Sequence, residues 1–195
     1  MTGIFPPLDI PAGPDRLPRQ NPADYDAGQR EAAAALIASP RGEVRGPFVP
    51  MMRSPQLMDR AQKLGEFLRY QCSIPERLRE WAIIVTARFW QQAYEWHVHA
   101  PLAARAGVAI PAIAALAEGR MPDSAAADER IVHDFCLALH RDHFVGDALY
   151  AEALSLLGEK GVVELSGICG YYALLAMMLN MARTPAPGEA FAIPF

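Results

Sequence analysis

Apolar side chains recur at helical spacing along almost the whole chain from Asp24 onward. The two-residue alternation of strands persists nowhere, so the pattern predicts an all-α protein. Ser39-Pro40 ends the first predicted helix, and Ser54 and Pro55 begin the second as its N-cap and first residue. The predicted helices span about residues 24–37, 54–70, 74–93, 94–106, 111–118, 125–141, 147–157 and 162–182. The third and fourth of these are either one continuous helix or two.

The two ends of the chain are rich in proline. Residues 1–24 contain six prolines, which a helix interior does not tolerate, so we expect an extended arm that lies across the surface or a neighbouring subunit. A disordered tail is the alternative. Residues 25–183 are predicted to form a single helical domain, and residues 184–195 an irregular C-terminal tail.

Four polar residues interrupt an otherwise apolar stretch: Glu80, Gln92, Glu95 and His99. Positions 92, 95 and 99 fall within about 60° of one another on a helix, and Glu80 would reach them from the preceding helix. Because buried polar groups are costly unless something uses them, the spacing predicts a proton-transfer site. His99 would be its acid or base, oriented by Glu95 or Glu80. A buried ion-pair network with a nearby arginine is the structural alternative.

Composition narrows the class of protein. Its 52% hydrophobic content, mean hydropathy of +0.06 and eight methionines indicate apolar surface buried between subunits, so we expect a homo-oligomer: a dimer, trimer or hexamer. The net charge of −4 argues against nucleic acid as a partner. No apolar run approaches the length of a membrane span, and the N-terminus lacks the features of a signal peptide. We therefore predict a cytoplasmic protein with no membrane partner.

Cysteine and histidine patterns add little chemistry. The three cysteines, Cys72, Cys136 and Cys169, are scattered and form no Cys-x-x-Cys, which is typical of reduced thiols in a cytosol. A face of the predicted helix 125–141 carries His133 and further metal-type ligands, but it extends over about 15 Å, too far for one ion. We expect no metal, and take His133 as a candidate second imidazole for the pocket. Of the adjacent Tyr171 and Tyr172, at most one should face a shared pocket.

The chain resembles the carboxymuconolactone decarboxylase-like family in three segments, 46–68, 80–107 and 162–180. The fold of that family is the all-helical bundle of alkylhydroperoxidase D. The most specific part is Tyr94-Glu95-Trp96 followed by His99. In the peroxidase branch the pattern is Glu, eleven residues, Cys-x-x-Cys, three residues, His. Glu80 and His99 match it, but Gln92 and Glu95 occupy the cysteine positions. Since a dithiol peroxidase needs a thiolate and a resolving thiol, the resemblance is to a branch without that chemistry.

The decarboxylase branch implies a lyase or isomerase of aromatic catabolism that needs no cofactor and acts on a lactone or related small carbonyl metabolite. By resemblance, His99 would protonate the enolate left by loss of CO₂, and Gln92 would hydrogen-bond the lactone oxygen. Tyr94 or Tyr171 would assist. A substrate carboxylate also needs a cation, for which the candidates are Arg88 and Arg53. The alternatives are a thiol peroxidase, a metal enzyme built on Glu95 and His99, and a non-catalytic module whose pocket Trp90 or Trp96 blocks.

Overall fold

The protein is described by a computed structural model that covers residues 13–121, 123 and 125–187. Within these residues there is no strand, and the all-α prediction is confirmed. A 3₁₀ turn (Pro22–Asp24) precedes the first α-helix, and a π-helical turn (Ala138–Asp142) follows the seventh. The α-helices are α1 (Ala27–Ala38), α2 (Phe48–Met51), α3 (Pro55–Tyr70), α4 (Glu76–Phe89), α5 (Ala93–Arg105), α6 (Ile110–Ala117), α7 (Ala127–Leu137) and α8 (Asp147–Ala182).

Helix α4 forms the centre of the core, packed against α5, α7 and α8. Every residue from Trp81 to Ala87 is fully buried, which matches its unbroken run of apolar and small side chains. The indole of Trp81 donates to the carbonyl of Glu129 on α7 at 2.8 Å, so even its polar atom is satisfied. This rigid central helix is the scaffold that carries Glu80.

Helices α4 and α5 are separate, which settles the alternative left open by the sequence. The chain turns at Trp90–Gln92, where Gln91 has a positive φ of 48°. Gln92 is the N-cap of α5, and its side-chain oxygen accepts from the backbone N–H of Tyr94 at 2.7 Å. The turn lets α5 pack back along α4.

Two further boundaries differ from the pattern. Helix α7 ends at Leu137, short of the predicted Arg141, because the backbone hydrogen bonds change there to the wider spacing of the π-helical turn. That turn ends at His143, whose φ is 59°. The predicted break after residue 157 is present: Gly158 has φ 69° and ψ 172° inside the range of α8. By length and apolar composition α8 is a candidate membrane span, but 61% of its most apolar window is buried within the protein, as in the core helix of a soluble domain.

The described part of the N-terminal arm lies against the helical domain. Arg16 donates its backbone N–H to the carbonyl of Ala182 at 2.8 Å, and Arg19 donates to the carbonyl of Val44. The first helix begins at Ala27, not Asp24, because Asp26 and Gln29 form a capping box there. Residues 1–12 of the predicted arm and 188–195 of the predicted tail lie outside the described residues.

Candidate active site

Glu80 and His99 form a buried carboxylate–imidazole pair across the α4–α5 interface. His99 Nδ1 lies 2.7 Å from Glu80 Oε2, and the two residues are 5% and 3% exposed. Burial lowers the pKa of His99, and this effect outweighs the opposing influence of Glu80. Burial also opposes ionisation of Glu80, but its contact with His99, with Arg69 and Arg79 nearby, holds the pKa of Glu80 below its ordinary value. The pair is therefore an anionic Glu80 and a neutral His99 that donates from Nδ1 and keeps a lone pair on Nε2.

Glu95 lies one turn before His99 on α5 and has a different environment. It is 3% exposed, and within the described part of the chain neither of its carboxylate oxygens has a hydrogen-bond partner. Burial raises the pKa of Glu95 well above its ordinary value. Burial thus favours the neutral, protonated form of Glu95, and Glu80 is the glutamate that pairs with His99. Environments that push neighbouring pKa values apart in this way separate an acid from a base.

An open cavity of about 530 Å³, its mouth included, brings Glu95 and His99 together. Its aromatic wall includes Tyr94 and Tyr171, both predicted to bind substrate. Tyr172 also lines it, so the expectation that only one of the two adjacent tyrosines would face the pocket is wrong. The two rings meet edge to face at 5.3 Å, and the Tyr172 ring also stands edge-on to the His99 imidazole at 5.1 Å. Rings this large reach the same space even from adjacent helical positions.

Three arginines that the sequence did not single out line the same cavity: Arg41, Arg45 and Arg69. Arg41 lies over the ring of Phe48, 4.9 Å from its centroid, which fixes the guanidinium at the wall. Arg45 forms a half-exposed ion pair with Glu43 at 3.4 Å. These positions lie in the α1–α2 loop and at the end of α3, and nothing in the helical pattern links them to α5.

Several predicted site residues lie elsewhere. Gln92 does not line the cavity, because the chain break makes it an N-cap and its amide donates to Asn180 at 2.6 Å. Arg88 donates to the carbonyl of Ala117, and Arg53 binds backbone carbonyls that include Leu17, so neither lines the cavity as the expected cation. His133 lies on α7 beside the Trp81 ring, with Nδ1 at 2.8 Å from Asp134. His133 is not among the residues that line the cavity.

Of the ten buried polar side-chain atoms without a hydrogen-bond partner among the described residues, four belong to residues that line this cavity. Besides both oxygens of Glu95, they include the hydroxyl of Tyr171 and Nε of Arg41, none of which has a hydrogen-bond partner among residues 13–121, 123 and 125–187. Burial raises the pKa of Tyr171 to about 12, so its hydroxyl keeps its proton and can donate. Each such atom costs about 1–3 kcal/mol while it is unpaired. Their common location is what a site complementary to a polar ligand requires.

Gly65 on α3 leaves the space that Tyr171 and Arg41 occupy. A Cβ at this position would collide with the Tyr171 hydroxyl and with the Arg41 guanidinium. We expect Gly65→Ala to leave the protein about 1–3 kcal/mol less stable than Gly170→Ala, the typical cost of overpacking. Gly170 is the matched control, because it is helical, exposed and has open space around it. Urea unfolding of both variants measures the difference in their free energies of unfolding. Equal values would show that the Tyr171 and Arg41 side chains move aside without a cost in stability.

Cys136 and Cys169, which are scattered in the sequence, are neighbours in the fold: their Sγ atoms are 3.4 Å apart. The 32 residues between them reverse direction after the π-helical turn, which brings α7 and α8 side by side. Cys72 is not part of this contact. In the described segments no group of three or more histidine, cysteine or acidic side chains is arranged to hold a metal ion.

Comparison with protein families gives a match over part of the chain. A model of the carboxymuconolactone decarboxylase family matches residues 55–132. This range runs from the start of α3 into α7 and contains Arg69, Glu80, Glu95 and His99, whereas Arg41 and both cavity tyrosines lie outside it. No curated protein matches the sequence significantly.

Proposed function

We propose, on the strength of the family match over residues 55–132, that the protein is a cofactor-independent acid/base enzyme of the decarboxylase and alkylhydroperoxidase-like superfamily. Its substrate is a small carboxylated carbonyl compound, and its reaction is decarboxylation of a lactone through an enolate. The observation that carries the proposal is Glu95, a buried carboxyl group whose pKa is raised by burial and which has no hydrogen-bond partner among the described residues; it lies on the wall of a cavity that also holds three arginines.

Glu95 supplies the proton that decarboxylation requires. When the substrate carboxylate leaves as CO₂, the electron pair of the broken C–C bond delocalises into the lactone carbonyl as an enolate. The Glu95 carboxyl then protonates the carbon that lost CO₂, and Glu95 becomes a carboxylate until solvent returns the proton. A neutral acid beside the reacting carbon is favourable for this step, because an ionised glutamate would repel the anionic substrate.

The arginines bind the negative charge of the substrate. Arg41, Arg45 and Arg69 offset the negative charges of Glu43 and of Glu80 behind His99, so the cavity suits an anion although the protein as a whole is acidic. The aromatic wall gives a planar ring a surface to lie on.

His99 handles the second proton. With Nδ1–H held by Glu80, its Nε2 is the only position at which the imidazole can take up a proton, and we assign it the return of a proton from solvent to Glu95. The same pair favours a second reaction, isomerisation. There His99 would remove a proton next to the carbonyl while Glu95 protonates the carbonyl oxygen, so that the same enolate forms without loss of CO₂.

Two of the three alternatives, the thiol peroxidase and the non-catalytic module, find less support. At the positions of the family's thiol pair, Gln92 caps a helix and Glu95 is a carboxylic acid, and neither can attack a peroxide. If the protein were a non-catalytic module, its pocket would be blocked and its buried polar groups would all have hydrogen-bond partners. Trp90 and Trp96 do not line the cavity, and Glu95 is unsaturated within the described chain.

The proposal is tested by turnover of carboxymuconolactones in D₂O. We expect stoichiometric release of CO₂ and one deuterium on the carbon that carried the carboxylate. Arg69→Met should raise KM about 10- to 100-fold with a smaller change in kcat, as expected when hydrogen bonds to a charged group are lost. Arg60→Met is the matched control, because Arg60 is exposed on the same helix. Deuterium exchange without release of CO₂ would identify an isomerase. If no lactone gave either CO₂ or a deuterated product, the enolate chemistry would be refuted.

Subunit organisation and localisation stay predictions. Exposed apolar side chains on α8 include Val163, Met177 and Met181, and on α3 Leu64 and Phe67. They are consistent with the expected homo-oligomer, which light scattering of the purified protein would test. The cytoplasmic location is proposed from the sequence alone.

A further inference from the structure

Two buried cysteines meet where α7 packs on α8. Cys136 is 0% exposed and Cys169 is 2% exposed, both are free thiols, and their Sγ atoms are 3.4 Å apart. A disulfide bond is about 2.05 Å long, so small side-chain rotations that bring the two sulfurs about 1.3 Å closer would allow one to form. Neither cysteine lines the cavity that holds Glu95 and His99. The pair is therefore a second chemical feature that the proposed lyase does not use.

A histidine and a hydroxyl accompany the thiols. Thr86 donates its hydroxyl hydrogen to the carbonyl of Ala82 at 2.9 Å, and its oxygen lies 3.1 Å from Nε2 of His140. The Thr86 hydroxyl and the His140 imidazole are therefore within hydrogen-bond distance of each other. We call Cys136, Cys169, His140 and Thr86 the thiol–imidazole cluster.

The two thiols are not equivalent. The hydrogen bond with Cys136 lowers the pKa of Cys169 to about 6 against the effect of burial, with further lowering by His140 and Thr86. The same contact and burial raise the pKa of Cys136 well above its ordinary value. Among the described residues, Cys136 and His140 are the titratable groups that act on Cys169. Cys169 is thus the nucleophilic thiolate of the pair, and Cys136 stays a thiol.

His140 connects the buried thiols with the surface. It lies in the π-helical turn, is half-buried, and stacks on Phe89 with ring centroids 5.2 Å apart. Single π-helical turns interrupt α-helices mainly at functional sites. Because the sulfurs themselves are covered, a reagent must be small to reach them.

We propose that Cys136 and Cys169 are a redox-active dithiol, which a small hydroperoxide oxidises to a disulfide that links α7 to α8. The Cys169 thiolate attacks the terminal oxygen of the hydroperoxide and the O–O bond breaks, which leaves a sulfenic acid on Cys169 and releases an alcohol, or water from hydrogen peroxide. Cys136 then attacks the Cys169 sulfur, the S–O bond breaks, and the hydroxide leaves as water with the Cys136 proton. In sum, one hydroperoxide and two thiols give a disulfide, an alcohol and water.

The full-length reduced protein, freed of reductant, is the material for the test, with hydrogen peroxide as the probe. We expect the protein to lose two hydrogens, its thiols titrated after denaturation to fall from three to one, and a peptide map to join Cys136 to Cys169. Cys72→Ser should form the same disulfide. Cys136→Ser should stop at the sulfenic acid, trapped on Cys169 by a 1,3-dione. A wild-type protein that keeps three thiols, or whose disulfide contains Cys72, would overturn the proposal without reference to any variant.

The role of His140 has its own readout, the pH dependence of the oxidation rate. In the wild type the rate should rise with pH around a midpoint of about 6, because the thiolate is the reacting form. His140→Gln should move that midpoint upward, whereas His143→Gln, on the exposed end of the same turn, should leave it in place. A midpoint in the range of an ordinary thiol, or one that His140→Gln does not move, would remove His140 from the cluster.

Discussion

Glu95→Gln is expected to lower turnover about 10²- to 10⁴-fold, the usual contribution of a positioned general acid, and at the same time to make the protein more stable at neutral pH. Glutamine has the same shape but cannot give up a proton, so the chemistry is lost. It also carries no charge, so the cost of a buried carboxyl group that is able to ionise is removed. A purely structural glutamate would not combine these two effects.

The stability difference between Glu95→Gln and the wild type should depend on pH. The pKa of Glu95 is raised in the folded protein, so above the unfolded value of 4.5 the unfolded chain releases this proton while the folded one retains it. Wild-type stability therefore falls as pH rises between the unfolded and the folded pKa, by about 1.4 kcal/mol for each unit of separation. Urea unfolding from pH 4 to 8 should show the advantage of the variant growing over this window. Glu152→Gln, exposed on α8, is the control and should show no such trend. A variant that stays active, or that is less stable at pH 7, contradicts the assignment.

His99→Asn should also cost about 10²- to 10⁴-fold in turnover, because asparagine can hydrogen-bond Glu80 but cannot carry a proton at Nε2. The pH profile of kcat/KM gives the sharper readout. In the wild type the rate should rise as pH passes the lowered pKa of His99 and fall as pH passes the raised pKa of Glu95. The variant should lose the acid limb and keep the alkaline one.

A matched histidine serves as the control for this experiment. His143→Asn changes an exposed imidazole beyond α7 and should leave both limbs in place. If His99→Asn retained the acid limb, that limb would belong to another group, and the role of the Glu80–His99 pair would be structural.

The sequence predicted the Glu80–His99 contact better than its surroundings. Glu80 and His99 were found because both interrupt apolar helical patterns, and two helices joined by a tight turn bring such positions together. Gln92 does not share the helical face of Glu95 and His99, because that face assumes a continuous helix and the helix begins only after Gln92. The cavity arginines depend on how α3 and the α1–α2 loop pack over α5, which helical periodicity does not encode. The contact between Cys136 and Cys169 likewise depends on the reversal of the chain after α7.

The break between α4 and α5 has an electrostatic consequence for the acid. It creates a new helix start two residues before Glu95, so the carboxyl lies in the first turn of α5. The positive end of the peptide dipoles there stabilises a nearby negative charge by about 0.3–1 kcal/mol. Burial favours the protonated form of Glu95 before the reaction. The helix start stabilises the carboxylate, which forms only after the proton has been transferred. Had α4 run straight into α5, the same residue would be in mid-helix, and its charged form would lack this support.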